Sequence, residues 1–422
     1  MRVTRLCLAL AAAPLVPLAL ASPAAAADAD CEQIRAEDPV DRSADGPSAP
    51  SVALGVPRAQ ALAAVGTMAP AGAAAGAGVR VAVVDSGVAS TDAIRVVERV
   101  AFTRTAEILD PHGTAVAGLV AARSQGAGGS VGVAPGADVV DVRFYDERVP
   151  TQEGSLAPDA RRLAAGLTWV AGHAAALRIG VVVVATPVEA DPALQRAVER
   201  LGRRDVVVVA AAGDRPVSPA DPFYAQFGER RPGEDAAGWV FPAGYDSVLA
   251  VSATADGAPG VDARDSVLPS SAIDLVAPTY GALSVALNGG VCGLPGVSTS
   301  WSAAEVAGVV ALLRAHLTDD NARQVVARLL VTATGSAAVS TPLTGAGVVS
   351  PVEALTRPLR PDRAGSIAVS APERDRFPRA TAPESPEDRS GTLRRTTLWW
   401  GLLGGAAVVL ALLLRPLVAR RR

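Results

Sequence analysis

The sequence contains no lysine, because all 39 of its Lys and Arg residues are arginine. This absence excludes chemistry through a lysine Schiff base and excludes a P-loop lysine. Aromatic residues make up only 4% of the 422 residues, although half of the chain is hydrophobic. A sizeable core can therefore form, but it must be built mainly from Ala, Val and Leu.

The net charge and the number of cysteines are both small, and each excludes a class of function. The formal net charge of −3 argues against nucleic acid as a partner. Three cysteines are too few for a disulfide-rich scaffold or a four-cysteine zinc site. No carboxylate cluster has the spacing of a Ca²⁺-binding loop, so the sequence predicts no metal and no cofactor.

The N-terminal residues have the pattern of a secretory signal peptide. Arg2 and Arg5 precede an apolar run from Leu6 to Ala21, and small residues follow as far as Ala27. We predict cleavage after Ala27, since the alternative of a buried helix fits poorly with the prolines in this segment. Export then places the remaining cysteines in an oxidising compartment.

Those cysteines are Cys31 and Cys292, because Cys7 leaves with the signal peptide. An intramolecular disulfide between them is the default expectation for an exported protein. The alternative is two thiols that are free or that pair with another chain.

The C-terminal residues predict a transmembrane helix. The run from Leu398 to Leu414 carries no charge and begins with Trp399 and Trp400, as interfacial aromatics do. As a helix it spans about 25 Å, slightly less than the ~30 Å core of a bilayer. The arginines at 415 and 420–422 favour a cytoplasmic tail, although Arg394 and Arg395 flank the other end. The alternative, a hydrophobic core helix, is weaker because the segment is terminal and has no polar face.

Between these ends the chain divides into three parts. Residues 28–78 form an irregular extension with one short helix near Arg58–Ala64, and residues 356–397 form a Pro-rich linker. Residues 79–355 alternate Val-rich strands with helices, which predicts an α/β fold with a mostly parallel sheet and helices on both faces. Functional groups in such folds gather at the carboxyl ends of the strands. The remaining parts are the signal peptide at 1–27, the membrane helix at 398–414 and a cytoplasmic Arg-rich tail at 415–422.

Three motifs in this domain suit nucleophilic catalysis. Asp85 ends a Val-rich strand, His112 opens a helix and is followed by Gly113, and Ser300 precedes a helical run. A serine hydroxyl needs a base to take its proton, and a histidine acts as that base when a carboxylate holds its tautomer. A serine at a helix N-terminus also gains free backbone N–H groups.

The order Asp, His, Ser is that of subtilisin, and here the chain resembles the subtilases. Further resemblance lies in residues 132–137, 206–213, 241–243, 248–251 and 345–351, and the architecture of both ends is similar to that of the mycosins. The resemblance implies a subtilisin-like three-layer fold and a serine endopeptidase that cleaves polypeptides through Ser300, His112 and Asp85. It also implies a single-pass protein of the cell membrane with an extracytoplasmic catalytic domain, a cytoplasmic C-terminus and a link to a type VII secretion complex.

Several residues depart from the subtilase pattern. Asp214 stands where the family has an Asn that donates a hydrogen bond to the oxyanion, and an ionised carboxylate only accepts. Ser298 replaces a glycine, Ala304 a proline and Pro111 a glycine, while Pro187 cannot donate an N–H to a substrate backbone. A second hypothesis follows, in which the chain is a weak or inactive subtilase that serves as a structural subunit of a secretion complex.

Each candidate residue also has a structural explanation. Ser300 could serve only as a helix N-cap, and Asp214 could be a turn residue between Gly213 and Pro216. His173 and His316 lie in helical runs, where structural roles are the expectation.

Overall fold

The computed structural model describes residues 30–40, 46–64, 73–123, 131–294, 296–336, 339–367 and 390–419. The predicted signal peptide and residues 368–389 of the predicted linker lie outside this part of the chain. The chain divides into two compact units, Met1–Ala368 and Val369–Arg422.

The first unit is built on a seven-stranded sheet in which every neighbouring pair of strands is parallel. In spatial order the strands are β2 (Val96–Ala101), β3 (Asp138–Arg143), β1 (Arg80–Asp85), β4 (Ile179–Val184), β5 (Val207–Ala211), β6 (Leu249–Thr254) and β7 (Leu275–Pro278). Two short strands, β8 (Leu283–Val285) and β9 (Val291–Gly293), form a separate antiparallel pair.

Helices cover both faces of this sheet. The helices described in the first unit are α1 (Ala49–Ala53), α2 (Val56–Ala64), α3 (His112–Ala121), α4 (Ala160–Leu177), α5 (Pro192–Arg203), α6 (Tyr224–Phe227), α7 (Ala263–Ser266), α8 (Thr299–His316), α9 (Ala322–Thr332) and α10 (Pro351–Thr356). On β1, Val81 and Val83 pack into the core that contains α3 and α8. Ala82 and Val84 pack into the core on the opposite face, with α4 and α5. The predicted three-layer α/β fold is confirmed.

Side-chain caps set where the central helices begin. Asp159 accepts the N–H groups of Arg161 and Arg162 at the start of α4, and Ser298 accepts the Ser300 N–H at the start of α8. Each cap satisfies N–H groups that have no partner within the helix. Helix α8 is buried over most of its length and contacts five strands of the sheet, β1 and β4 to β7, so its first turn is held firmly against the strand ends.

The N-terminal extension is tied to the domain by a covalent link. Cys31 and Cys292 form a disulfide, with 5.0 Å between their Cα atoms, and the Cys31 N–H donates to the Gly293 carbonyl at 3.0 Å. The predicted pairing is therefore present. The short helix expected near Arg58–Ala64 is α2, and α1 precedes it as a helix that the sequence analysis missed.

The second unit contains one long helix, α11 (Ser390–Ala419). Its stretch Leu393–Arg415 has a mean hydropathy of 2.0 and is long enough to cross a membrane. The helix extends past the predicted span of 398–414 at both ends, so residues 390–397 are helical although the sequence analysis placed them in the linker. Apolar composition marks the stretch that is long enough to span a membrane but not the polar turns that continue the same helix.

Candidate active site

The predicted catalytic residues lie on elements that meet at one edge of the sheet. β1 ends at Asp85, α3 begins at His112, and Ser300 lies in the first turn of α8. β4 and β5 are parallel to β1 in the same sheet, so the segments that follow them, which contain Ala185 and Asp214, leave from the same edge. Carboxyl-end loops of parallel strands are the usual location of functional groups in α/β folds.

Asp85 and His112 form a buried pair. The His112 Nδ1 lies 2.8 Å from Asp85 Oδ1, and both residues are almost completely buried. Burial alone would raise the pKa of Asp85, but attraction to His112 and hydrogen bonds from His112, Ser86 and Tyr145 hold it below its ordinary value. Because the ionised carboxylate can only accept, Nδ1 carries the proton and Nε2 is left as the basic nitrogen.

A close backbone approach brings α3 against the end of β1. A Cβ on Gly113 would lie 2.6 Å from the Gly87 carbonyl oxygen and 3.1 Å from Asp85 Cβ, so only glycine fits. Ser86 bridges the two segments, since its hydroxyl donates to the Asp110 carbonyl at 2.8 Å and accepts the Gly113 N–H at 2.9 Å. Gly113 is therefore the residue that lets the start of α3 lie against the end of β1.

Two side chains that the sequence analysis missed complete the environment of Asp85. The Tyr145 hydroxyl donates to Asp85 Oδ1 at 2.8 Å and lies 3.0 Å from Thr186 Oγ1. Thr186 Oγ1 lies 3.3 Å from Asp85 Oδ2. Burial, and then the neighbouring Asp85 charge, raises the pKa of Tyr145 well above its ordinary value, so its phenol stays protonated as a donor. Nothing in the sequence marked Tyr145 except its position just after β3.

Ser300 is half-buried at the N-terminus of α8. Its Oγ donates to the Ala185 carbonyl at 2.8 Å, and its backbone N–H donates to Ser298 Oγ at 3.2 Å. The next residue, Trp301, lies beside the imidazole of His112, with 5.1 Å between the ring centroids. The start of α8 is therefore adjacent to the histidine, while the Ser300 hydroxyl proton is directed at Ala185.

Asp214 faces the same helix N-terminus. Its Oδ1 accepts the Thr299 N–H at 2.7 Å, and its Oδ2 accepts the Ser298 hydroxyl at 2.7 Å. The residue keeps an exposed surface. Desolvation by the surrounding protein raises the pKa of its carboxyl, and the hydrogen bonds from Thr299 and Ser298 oppose that rise. Both carboxyl oxygens serve as acceptors.

A charged chain connects the N-terminal extension to the histidine. The Arg148 guanidinium donates to Glu32 Oε1 at 2.7 Å and to Asp110 Oδ2 at 2.9 Å. Asp110 Oδ1 in turn accepts the His112 backbone N–H at 3.0 Å. Because Glu32 adjoins the disulfide-bonded Cys31, the extension braces the segment from which His112 projects.

Pro111 directly precedes His112 as the N-cap residue of α3, whereas the other two histidines and Ala304 lie on longer helices. His173 is on α4, where its Nδ1 lies 2.8 Å from the Trp169 carbonyl, and His316 ends α8. Ala304 is fully buried within α8. Within the described ranges, no three His, Cys, Asp or Glu side chains are grouped so that they could hold a metal ion.

The sequence is similar to a known protein family and to several characterised proteins. The model of the subtilase family (Peptidase S8) matches residues 76–349. Mycosin-1 of Mycobacterium tuberculosis is 31% identical over 324 residues, which cover 69% of this chain and 72% of that protein. Mycosin-4 of the same organism is 31% identical over 370 residues, which cover 82% and 78% of the two chains.

Solved structures give the same relationship. A crystal structure of MycP1 without its N-terminal propeptide aligns with a TM-score of 0.58 and 26% identity, covering 75% of this chain and all of that chain. A structure of the MycP3 protease from the type VII (ESX-3) secretion system aligns with a TM-score of 0.54 and 29% identity, covering 75% and 90%. An intact ESX-5 inner membrane complex contains a chain that is 22% identical, with a TM-score of 0.56.

Proposed function

Since the chain belongs to the subtilase family and has mycosins among its relatives, we propose that it is a membrane-anchored serine endopeptidase that acts outside the cytoplasm. The observation that carries the proposal is the buried hydrogen bond of 2.8 Å between His112 and Asp85, next to the N-terminus of the helix that holds Ser300. A neutral imidazole fixed in this way is the base that a serine nucleophile requires.

In the proposed reaction, Ser300 Oγ attacks the carbonyl carbon of a peptide bond. His112 Nε2 takes the hydroxyl proton, and Asp85 stabilises the imidazolium that forms. His112 then gives the proton to the leaving amine, which leaves an acyl group on Ser300. A water molecule, deprotonated by the same histidine, releases the acyl group. Rotation of the Ser300 side chain away from Ala185 precedes the attack, since the hydroxyl donates to that carbonyl in the structure.

The tetrahedral intermediate places a negative charge beside the start of α8. We propose that the Ser300 N–H faces this oxyanion, and that Asp214 lines the opposite side of the same position. Helix α8 supplies the positive end of its dipole here, which favours the negative charge. The Asp214 carboxylate opposes this effect.

Helix α11 supports anchoring in the cell membrane. Its apolar stretch Leu393–Arg415 is long enough to span a bilayer. We propose that the peptidase domain is extracytoplasmic and the Arg-rich C-terminus cytoplasmic. A relative described as a protease from the type VII (ESX-3) secretion system supports association of this chain with a similar membrane complex, and a chain of similar fold lies in an ESX-5 inner membrane complex.

A second candidate function is a structural role in such a complex with little proteolysis. The contacts at Ser300 favour it, because the hydroxyl donates to Ala185 and the N–H donates to Ser298. Secretion by cells that carry Ser300→Ala separates the two functions: a purely structural subunit keeps secretion intact, and an essential peptidase loses it.

Peptide cleavage tests the proposed activity directly. The full chain in detergent is incubated with a peptide library, and new termini are identified by mass spectrometry. We expect cleavage that is lost in Ser300→Ala and in His112→Ala. Cleavage that persists in Ser300→Ala, with wild-type specificity, contradicts the assignment.

A further inference from the structure

The side chains of Ser298 and Asp214 lie beside the backbone N–H groups at the start of α8. We propose that, in the resting protein, Ser298 Oγ fills the place where a serine peptidase binds the oxyanion and that Asp214 holds it there, so that this pair sets the rate of acylation. The inference rests on the proposed peptidase function, in which Ser300 is the nucleophile.

The hydrogen bonds locate the Ser298 hydroxyl. In acyl transfer by a serine, the oxyanion accepts the backbone N–H of the nucleophile and a second donor opposite to it. Here the Ser300 N–H donates to Ser298 Oγ at 3.2 Å, and Ser298 Oγ donates to Asp214 Oδ2 at 2.7 Å. The hydroxyl oxygen therefore lies between the two groups that should meet the oxyanion.

The carboxylate keeps the hydroxyl in this position. Asp214 is fixed by the Thr299 N–H, which donates to Oδ1 at 2.7 Å, so Oδ2 is the oxygen turned towards Ser298. A carboxylate oxygen repels an oxyanion but attracts a hydroxyl donor. As it forms, the oxyanion must therefore displace the Ser298 hydroxyl and then face Oδ2 without a second donor.

Neither residue alone accounts for the obstruction. With Asp214→Asn, the new amide can donate to the Ser298 hydroxyl, which still accepts the Ser300 N–H. With Ser298→Gly, the position is open but the carboxylate remains beside it. Only the double substitution leaves an open position with two donors, so the two changes should act together far more than they act singly.

The substitutions are compatible with the fold. Glycine is tolerated at a helix N-cap such as Ser298, at a cost of only a few tenths of a kcal/mol relative to serine. Asparagine retains an oxygen that can accept the Thr299 N–H in place of Asp214 Oδ1. Ser298 and Ser300 are half-buried and Asp214 is exposed, so the position is open to a substrate.

The test is a double-mutant cycle on the full chain in detergent. The four proteins are wild type, Asp214→Asn, Ser298→Gly and the double variant. Readouts are kcat and KM on a chromogenic peptide and the rate of labelling by a fluorophosphonate. We expect kcat to rise by less than about tenfold in each single variant and by about 10²-fold or more in the double variant, with KM little changed.

Matched controls use two other helix caps. Ser48 caps α1 and is the control for Ser298. Asp191 caps α5 and is the control for Asp214. Each of the two accepts a backbone N–H at the start of its helix. The double variant Ser48→Gly with Asp191→Asn should leave kcat unchanged. Circular dichroism and thermal melting confirm that all variants are folded.

The outcomes separate the inference from the proposed function. A wild type that reacts, with a double variant no faster than the better single variant, overturns the role of the pair and leaves the peptidase assignment intact. Full recovery by Asp214→Asn alone overturns the part assigned to Ser298. Folded proteins that all fail to react overturn both.

Discussion

The Tyr145 hydroxyl donates to Asp85 Oδ1 at 2.8 Å, and the same oxygen lies 2.8 Å from His112 Nδ1. One carboxylate oxygen therefore accepts hydrogen bonds from both the phenol and the imidazole. The phenol holds Asp85 in the orientation that the imidazole needs, and it does so from the loop after β3. In the proposed mechanism, Tyr145 is thus a positioning residue for the Asp85–His112 pair.

Removal of this phenol should weaken catalysis without removing the base. For Tyr145→Phe we expect kcat/KM to fall by about tenfold, which corresponds to ~1.4 kcal/mol, close to the lower end of the range for a hydrogen bond to a charged group. The measurement is kcat/KM on a chromogenic peptide. Tyr245→Phe is the matched control, because that half-buried hydroxyl donates to the Asp191 carbonyl at 3.2 Å, away from Asp85. Equal losses in both variants contradict a specific role for Tyr145.

Glu305 should make the domain less stable as the pH rises. The residue is 2% exposed within α8, its Oε2 has no hydrogen-bond partner among the described residues, and burial raises its pKa well above the ordinary value of 4.5. In the unfolded chain the carboxyl ionises near 4.5, while in the folded chain it stays protonated to a higher pH. The titration of Glu305 therefore costs no stability below about pH 4.5, and it lowers the free energy of unfolding as the pH rises towards the raised pKa.

Glu305→Gln removes this titration and keeps the size of the side chain. We expect the variant to be more stable than the wild type, by a difference that grows from pH 5 to pH 8 and reaches about 1–3 kcal/mol at pH 8. Urea unfolding at the two pH values measures the difference. Glu153→Gln, at an exposed residue, serves as the control and should show no such gain. A constant difference across this pH range is the contrary result.

The disulfide should contribute strongly to stability, because Cys31 and Cys292 are 261 residues apart. Closing a loop of this length stabilises the folded state by about 5 kcal/mol in the chain-entropy model, and measured effects are often smaller. We expect the double variant Cys31→Ser with Cys292→Ser to lose about 2–5 kcal/mol of unfolding free energy. Alkylation of the folded, unreduced protein should modify neither cysteine, and modification of both contradicts the link.

The orientation of the chain in the membrane is also testable. The signal-peptide pattern and the C-terminal arginines predict an external peptidase domain and a cytoplasmic end. Protease treatment of intact cells should release the peptidase domain. A green fluorescent reporter fused after Arg422 should fluoresce and resist the protease. A reporter that the protease removes argues against this topology.

The sequence predicted the parts of the fold that have strong patterns. The Val-rich strands expected within residues 79–355 include β1 and β3 to β6, and the order of Asp85, His112 and Ser300 identified the catalytic candidates. Strand β2 was missed because its sequence VVERVA places charges at a half-exposed sheet edge. Strand β7 was missed because it is only four residues long and ends in proline.

The contacts around the catalytic candidates could not be predicted in the same way. Tyr145 and Thr186 reach Asp85 from segments 60 and 101 residues away, and no local pattern signals such a meeting. Asp214 and Ser298 were recognised as departures from the family, but their mutual hydrogen bond depends on how the loop after β5 meets the start of α8. Side-chain contacts of this kind follow from tertiary packing.

The most direct test of the central claim is covalent labelling of Ser300. The full chain in detergent is treated with a fluorophosphonate, and the modified residue is mapped by mass spectrometry. The account predicts an adduct on Ser300 that is absent from Ser300→Ala and forms much more slowly in His112→Ala. A folded wild-type chain that remains unlabelled at Ser300 after prolonged treatment would contradict it.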